Sequence, residues 1–210
     1  MRNIIGDTAV FFLILAFLLF VVKFKKQNKA YKIFTVYLAI ISCCEIYYRV
    51  SYLFTKNNIP VTHLDTLVQF LLLSWFFAEF IANQHKKRAI QIGGILVPIL
   101  FVIKFALNPK LLLKYDDYET FVTSMILVVY GTNHLYNMLN ETKKFYYVTV
   151  GMLIYMVGSI VIVLTGNILI ALNDLKMYNK IWIFNNLFYL AFQIFVLYEW
   201  YKTYYKKLET

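Results

Sequence analysis

The chain contains seven apolar segments, each close to the length of a membrane-spanning helix. They cover residues 4–22, 33–54, 64–82, 90–107, 118–139, 145–165 and 181–201. A helix rises about 1.5 Å per residue, so about 20 apolar residues cross a hydrocarbon core of about 30 Å. Because backbone groups in a bilayer must be paired within the segment, such segments are helical. The sequence therefore predicts an all-α fold, a polytopic transmembrane bundle of seven helices.

The composition supports a membrane protein over a water-soluble one. Of the 210 residues, 61% are hydrophobic and 15% are charged, whereas soluble domains have about 45–50% apolar and about 25% charged residues. Such a chain has too few polar side chains to cover the surface of a soluble fold. The connectors are short and no repeat is evident, which predicts a single transmembrane domain over residues 1–210.

The basic residues are concentrated in alternate connectors. About 13 of the 21 lie in the first, third and fifth connectors and the tail: Lys23, Lys25, Lys26, Lys29, Lys32, Lys86, Lys87, Arg88, Lys143, Lys144, Lys202, Lys206 and Lys207. The opposite side has Arg2, Lys56, Lys110, Lys114, Lys176 and Lys180. Since Lys and Arg in short loops stay cytoplasmic, the amino terminus is predicted outside and the carboxyl terminus in the cytoplasm.

Two further predictions follow from how the charges are arranged. The first apolar segment lacks the charge order and small-residue cleavage site of a signal peptide, so we expect it to be retained as a helix. The formal net charge is +10, but the basic residues form short clusters between apolar segments instead of one basic stripe. This pattern is typical of membrane topology and predicts no nucleic-acid partner.

Polar side chains inside predicted spans are costly and therefore suggest function. Glu45 and Arg49 lie four residues apart, on one face of the second predicted helix. They either form a structural ion pair or line a polar cavity that opens outward. Four other polar residues at comparable depth are candidates for the same pocket: Asp65, Gln69, Asn185 and Asn186. As alternatives, Asp65 fits a helix-start residue, and the asparagines fit hydrogen bonds between helices.

A second polar group is predicted nearer the cytoplasm and consists of Glu79, Asn133, His134 and Glu199. Glu79 and Glu199 lie near helix ends, where we expect their carboxylates to reach the interface. His134 belongs to the residue type that most often serves as a base near neutral pH, but a lone histidine is more often a hydrogen-bonded packing residue than a metal ligand or a base. No metal site is predicted.

The sequence offers no catalytic signature. The Gly-x-Ser-x-Gly, His-Glu-x-x-His, P-loop and Cys-x-x-Cys motifs are missing, and the seventh segment has no central lysine to form a retinal Schiff base. The catalytic residues are therefore unassigned, and no cofactor is expected. Gly151, Gly158 and Ser159 lie on one face of the sixth helix, and these small residues predict a tightly packed helix pair.

Several short stretches carry a family resemblance. They are residues 43–48 (CCEIYY), 74–77 (SWFF), 151–159 (GMLIYMVGS) and 185–186 (NN). With these stretches the chain resembles a family of small multi-pass membrane proteins of Bacteroidetes bacteria, and the resemblance covers most of its length. It implies a bacterial inner (cytoplasmic) membrane and a seven-helix layout. The family has no known activity, so none is implied here.

Three functional hypotheses remain open. In the first, the bundle is a ligand- or partner-binding sensor without its own output domain, which signals to a membrane or cytoplasmic protein. In the second, it is an intramembrane enzyme acting on lipid, with Glu45 or Asp65 activating water. In the third, it is a small transporter or pore, or a scaffold subunit of a membrane complex. The lipid bilayer is a partner in all three.

Overall fold

The computed structural model describes residues 2–55, 59–114, 116–139 and 143–205. It is 90% helix, and the described residues contain no strand. They form seven α-helices: α1 (Arg2–Val22), α2 (Lys29–Thr55), α3 (Ile59–Ala78), α4 (Gln84–Leu107), α5 (Asp117–Asn137), α6 (Tyr146–Ala171) and α7 (Leu175–Trp200). The predicted all-α fold with seven helices is confirmed. Three basic residues used for orientation, Lys56, Lys206 and Lys207, lie outside the described residues.

Six of these helices are long and apolar enough to cross a membrane, namely α1 to α4, α6 and α7. This confirms the prediction of a multi-pass membrane protein. Helix α5 has 21 residues but is not among the six, because Thr, Asn and His side chains interrupt its apolar sequence. It is therefore the helix whose predicted span has the weakest compositional support.

Several helix ends differ from the predicted segments by four residues or more, among them the starts of α2 and α3 and the end of α3. Helix α4 starts at Gln84 instead of residue 90, because the Asn83 side chain accepts hydrogen bonds from the backbone N–H groups of His85 (2.9 Å) and Lys86 (3.2 Å) and caps it. Helix α6 continues to Ala171, and α7 already starts at Leu175. The predicted connector 166–180 is therefore wrong, since only residues 172–174 separate the two helices. The predicted boundaries follow hydropathy, which falls at the membrane interface. Helices can extend beyond the interface where caps satisfy the backbone groups at their ends.

The helices group into two compact units, which are described separately. One unit comprises Met1–Phe20 and Ser124–Thr210, and we call it the α6–α7 unit. The other comprises Val21–Thr123, and we call it the α2–α4 unit. Neither grouping tests the single-domain expectation, which stays a prediction.

Aromatic side chains fill the core of the α2–α4 unit. Phe34 of α2 and Phe76 of α3 are fully buried, and their ring centroids are 5.4 Å apart. On the other side of α3, Leu67 packs with Phe101 and Phe105 of α4. These contacts hold α3 between α2 and α4, and they place the polar side chains of α3 next to these two helices.

The α6–α7 unit is built on close contact between its two longest helices. A Cβ atom placed on Gly151 would lie 2.6 Å from Cβ of Phe195, and one on Gly158 would lie 2.5 Å from Cδ2 of Phe188. Ser159 Oγ donates a 2.8 Å hydrogen bond to Asn185 Oδ1. The small residues that predicted a tight helix pair thus lie where α7 side chains meet the α6 backbone.

Candidate functional site

Three of the predicted outer polar residues, all in the α2–α4 unit, are linked by electrostatic interactions. Glu45 interacts electrostatically with Arg49 on its own helix and with Asp65 on α3. We call these three residues the α2–α3 polar cluster. Glu45 is the link between the other two residues, and the cluster therefore contains two acidic groups and one basic group.

Asp65 is the acid of this cluster that has a shielded, unsatisfied side-chain oxygen. Its Oδ1 atom is shielded from solvent and has no hydrogen-bond partner among the described residues. The helix-start alternative for Asp65 is wrong, because α3 begins six residues earlier at Ile59. Gln69 lies one turn further along α3 and is partly buried. A buried carboxylate oxygen without a donor is costly, which makes Asp65 the clearest candidate for contact with a ligand.

The two predicted asparagines belong to the other unit. Asn185 accepts the hydrogen bond from Ser159 across the α6–α7 contact, as the alternative of a hydrogen bond between helices expects. Asn186 follows it and is partly buried. Their predicted place in one pocket with Asp65 stays a prediction.

Glu79 lies directly after α3 and joins two other helices of its unit. Its carboxylate is 3.0 Å from Nζ of Lys29 at the start of α2 and 2.8 Å from Nζ of Lys87 in the first turn of α4. Burial by itself raises the pKa of Glu79, but the hydrogen bonds and charges of Lys87 and Lys29 outweigh this, so the net pKa is lowered. Glu79 is thus a structural anion at the end of three helices.

His134 and Asn133 lie near the end of α5 in the α6–α7 unit. The ring of His134 is buried, and its Nε2 is 3.0 Å from the backbone carbonyl of Lys144. This contact agrees with the predicted role of a hydrogen-bonded packing residue. Asn133 is exposed, and no contact of this residue suggests a site.

Glu199 takes a different position from the one expected. It is 2% exposed, and its carboxylate accepts hydrogen bonds from the backbone N–H of Tyr147 (2.8 Å) and from Thr203 Oγ1 (3.0 Å). The expectation that it reaches the interface is wrong, because the side chain of Phe145, the residue before α6, makes no capping hydrogen bond and leaves the start of α6 to be capped from α7. A carboxylate from α7 instead satisfies that helix start and its positive dipole end.

A buried acid–base pair in the α2–α4 unit was missed by the sequence analysis. His63 of α3 and Glu119 in the first turn of α5 are 4% and 1% exposed. His63 Nδ1 is 2.5 Å from Glu119 Oε2, and His63 Nε2 is 3.0 Å from the backbone carbonyl of Lys114. The ring of Phe105 covers the imidazole at 4.6 Å between centroids. We call His63 and Glu119 the buried pair.

A second ion pair lies beside the buried pair. Lys104 Nζ of α4 contacts Asp116 Oδ2. The other oxygen of Asp116, Oδ1, accepts hydrogen bonds from the backbone N–H groups of Tyr118 (3.2 Å) and Glu119 (3.3 Å). This caps the start of α5 and fixes Glu119 opposite His63. The only sequence signals for the arrangement were a histidine near one helix start and an acid at another.

An apolar groove runs along α6 and α7. It encloses about 730 Å³, and its lining is apolar apart from Thr165. Val157 and Val161 of α6 and Phe184 of α7 are among the side chains that line it. The groove has no ionisable side chain, so it fits contact with lipid tails and offers no group for acid–base chemistry.

No family model, curated protein or solved structure matches this chain.

Proposed function

We propose that the chain is a membrane-embedded binding module, which receives a small cationic or hydrogen-bond-donating ligand at the α2–α3 polar cluster and signals to a protein partner. The observation that carries this proposal is the shielded Oδ1 of Asp65, which has no donor within the described residues. Glu45 beside it adds a second carboxyl group. A cation or an N–H donor would complement a cluster of two acids and one arginine, and would relieve the cost of a buried unpaired oxygen.

The same cluster supports the enzyme alternative less well. A lipid-acting enzyme would need Asp65 or Glu45 to activate water next to a group that stabilises the developing charge. Arg49 is the one cation with which Glu45 interacts in the cluster. The sequence also contains none of the known motifs that supply a catalytic nucleophile. Turnover of labelled lipid by the purified chain would favour the enzyme, and ion flux in liposomes would favour the pore.

For the location, we propose the bacterial inner membrane, with the amino terminus outside and the carboxyl terminus in the cytoplasm. The support is the excess of lysines in alternate connectors. We expect a reporter fused after Lys26 to be active only on the cytoplasmic side. Activity of that fusion on the outer side would contradict the orientation and leave the ligand proposal standing.

The ligand proposal predicts stabilisation by small organic cations. Tetramethylammonium, choline and butylammonium chlorides would be added to the purified chain in detergent, with sodium chloride as the ionic control. A probe at a hundredfold excess over its Kd is expected to stabilise the fold by about 2.7 kcal/mol. The Asp65→Asn variant should bind the probe at least tenfold more weakly than the wild type, because the amide lacks the negative charge. Thermal unfolding would measure both effects.

Asp116→Asn is the matched control, since it removes an acid of the same unit that lies outside the polar cluster. We expect its response to the probes to equal that of the wild type. An equal response of Asp65→Asn and wild type would remove the proposal, as would a complete lack of stabilisation by cations of every size.

A further inference from the structure

The contacts of His63 determine how many protons the buried pair holds. A carbonyl oxygen can only accept, so the contact with Lys114 requires a hydrogen on Nε2. The 2.5 Å contact between Nδ1 and Glu119 Oε2 also requires a hydrogen, because two lone pairs at that distance repel. Only one hydrogen fits between the two atoms. The closed arrangement therefore holds one proton on Nε2 and one shared between the ring and the carboxylate.

We propose that His63 and Glu119 form a proton-binding site whose shared proton holds the segment before α5 against α3. His63 belongs to α3, Lys114 follows the 3₁₀ segment Pro109–Leu113, and Glu119 belongs to α5. A single imidazole thus ties three parts of the chain together. With the shared proton the pair is neutral overall, and this is the form that costs least in a buried position.

The proton count sets the direction of the pH dependence. If the pair opens to water, a hydrated glutamate loses its proton above about pH 4.3 and a hydrated histidine above about pH 6.5. Above pH 6.5 the open form therefore holds one proton fewer than the closed form, so that closing takes up a proton. Rising pH then favours opening, about tenfold per pH unit. Between about pH 4.3 and 6.5 the proton counts are equal, and the opening equilibrium should be flat.

Other charged groups surround the pair. Lys104 of α4 and Asp116 before α5 both interact electrostatically with Glu119. Because Lys104 and Asp116 are paired with each other, their opposite charges partly cancel at the carboxylate. On α3, Asp65 lies two residues beyond His63, and the charged side chain of Lys114 is exposed. These groups shift the pH at which the segment begins to open. The shared proton determines that one proton is released on opening.

The test is hydrogen–deuterium exchange of the full chain in lipid nanodiscs, followed by mass spectrometry of peptides from residues 109–119. Rates at pH 6.5, 7.5 and 8.5 would be corrected for the intrinsic pH dependence of amide exchange. We expect the opening equilibrium of this segment to rise about tenfold per pH unit in the wild type. A flat wild-type profile would overturn the proposal.

Glu119→Gln separates proton binding from hydrogen bonding. Its amide donates to Nδ1 of a neutral His63, while Nε2–H still donates to Lys114, so the contacts remain but the shared proton is replaced by a fixed one. We expect a closed segment with no pH dependence. The Asp174→Asn control changes an acid at the start of α7 that does not interact with the buried pair, and it should keep the wild-type slope. A wild-type slope in Glu119→Gln, or loss of the slope in Asp174→Asn, would assign the titration to other groups and overturn the proposal.

A second measurement stands independently of whether Glu119→Gln folds. The chain has three histidines, so the imidazole nitrogens can be followed by ¹⁵N NMR and assigned with His63→Gln. We expect one ring with both nitrogens protonated or sharing a proton near neutral pH, and loss of this signal in step with opening of the segment. A His63 Nδ1 that neither carries a proton nor accepts a hydrogen bond at pH 6.5 would contradict the shared proton.

Discussion

The Gly151→Leu variant is expected to lose the packing of α6 against α7, with destabilisation of about 3 kcal/mol. The added Cβ alone would lie 2.6 Å from Cβ and 3.0 Å from Cγ of Phe195. Both atoms are close to the α7 backbone, so rotation of the phenylalanine ring cannot relieve the clash. The helices would have to separate, and membrane helices depend on close packing for their association. Denaturation in mixed detergent micelles would measure the loss.

Gly166→Ala is the matched control on the same helix. A Cβ there would lie 3.3 Å from Cε2 of Tyr178, at the far end of a side chain that can move by a few tenths of an ångström. We expect its effect to be below about 1 kcal/mol. Equal stability of Gly151→Leu and Gly166→Ala would mean that α6 and α7 do not meet at Gly151 as described.

The second large effect is expected at the buried pair, where removal of either partner should cost about 3–5 kcal/mol. His63→Leu leaves the carboxylate of Glu119 buried without its donor, and Glu119→Leu leaves Nδ1 of His63 without its partner. The double variant leaves neither a buried carboxylate nor a buried imidazole without a partner. We therefore expect the double variant to be destabilised by clearly less than the sum of the two single variants. A double-mutant cycle of unfolding free energies at pH 6.5 would measure this coupling.

The neighbouring ion pair provides the comparison for this cycle. Lys104 is 38% exposed at its side chain, and its pairing with Asp116 is partly screened by solvent. The corresponding cycle with Lys104→Met and Asp116→Asn should give a coupling of about 1 kcal/mol or less. Additive effects in the His63–Glu119 cycle would show that the two side chains do not depend on each other, which would also remove the basis of the shared proton.

Several features of the fold could be read from short stretches of sequence. The helices α1 to α4, α6 and α7 were predicted because the length and apolarity of a segment suffice to decide whether it can cross a bilayer. The small residues Gly151 and Gly158 likewise marked a close helix contact without revealing the partner. Of the candidate site, the neighbouring Glu45 and Arg49 were recognisable because a spacing of four places two side chains on one helix face.

The tertiary structure decided which distant residues meet. His63 and Glu119 are 56 residues apart, and Glu199 satisfies the start of a helix that begins 53 positions earlier, at Tyr146. No local pattern encodes such partners, because hydropathy and periodicity describe one segment at a time. The membrane-spanning character is a sum over single residues, and the sequence by itself determined it. The pairing of buried polar groups depends on which helix faces pack together, and only the folded chain decides that.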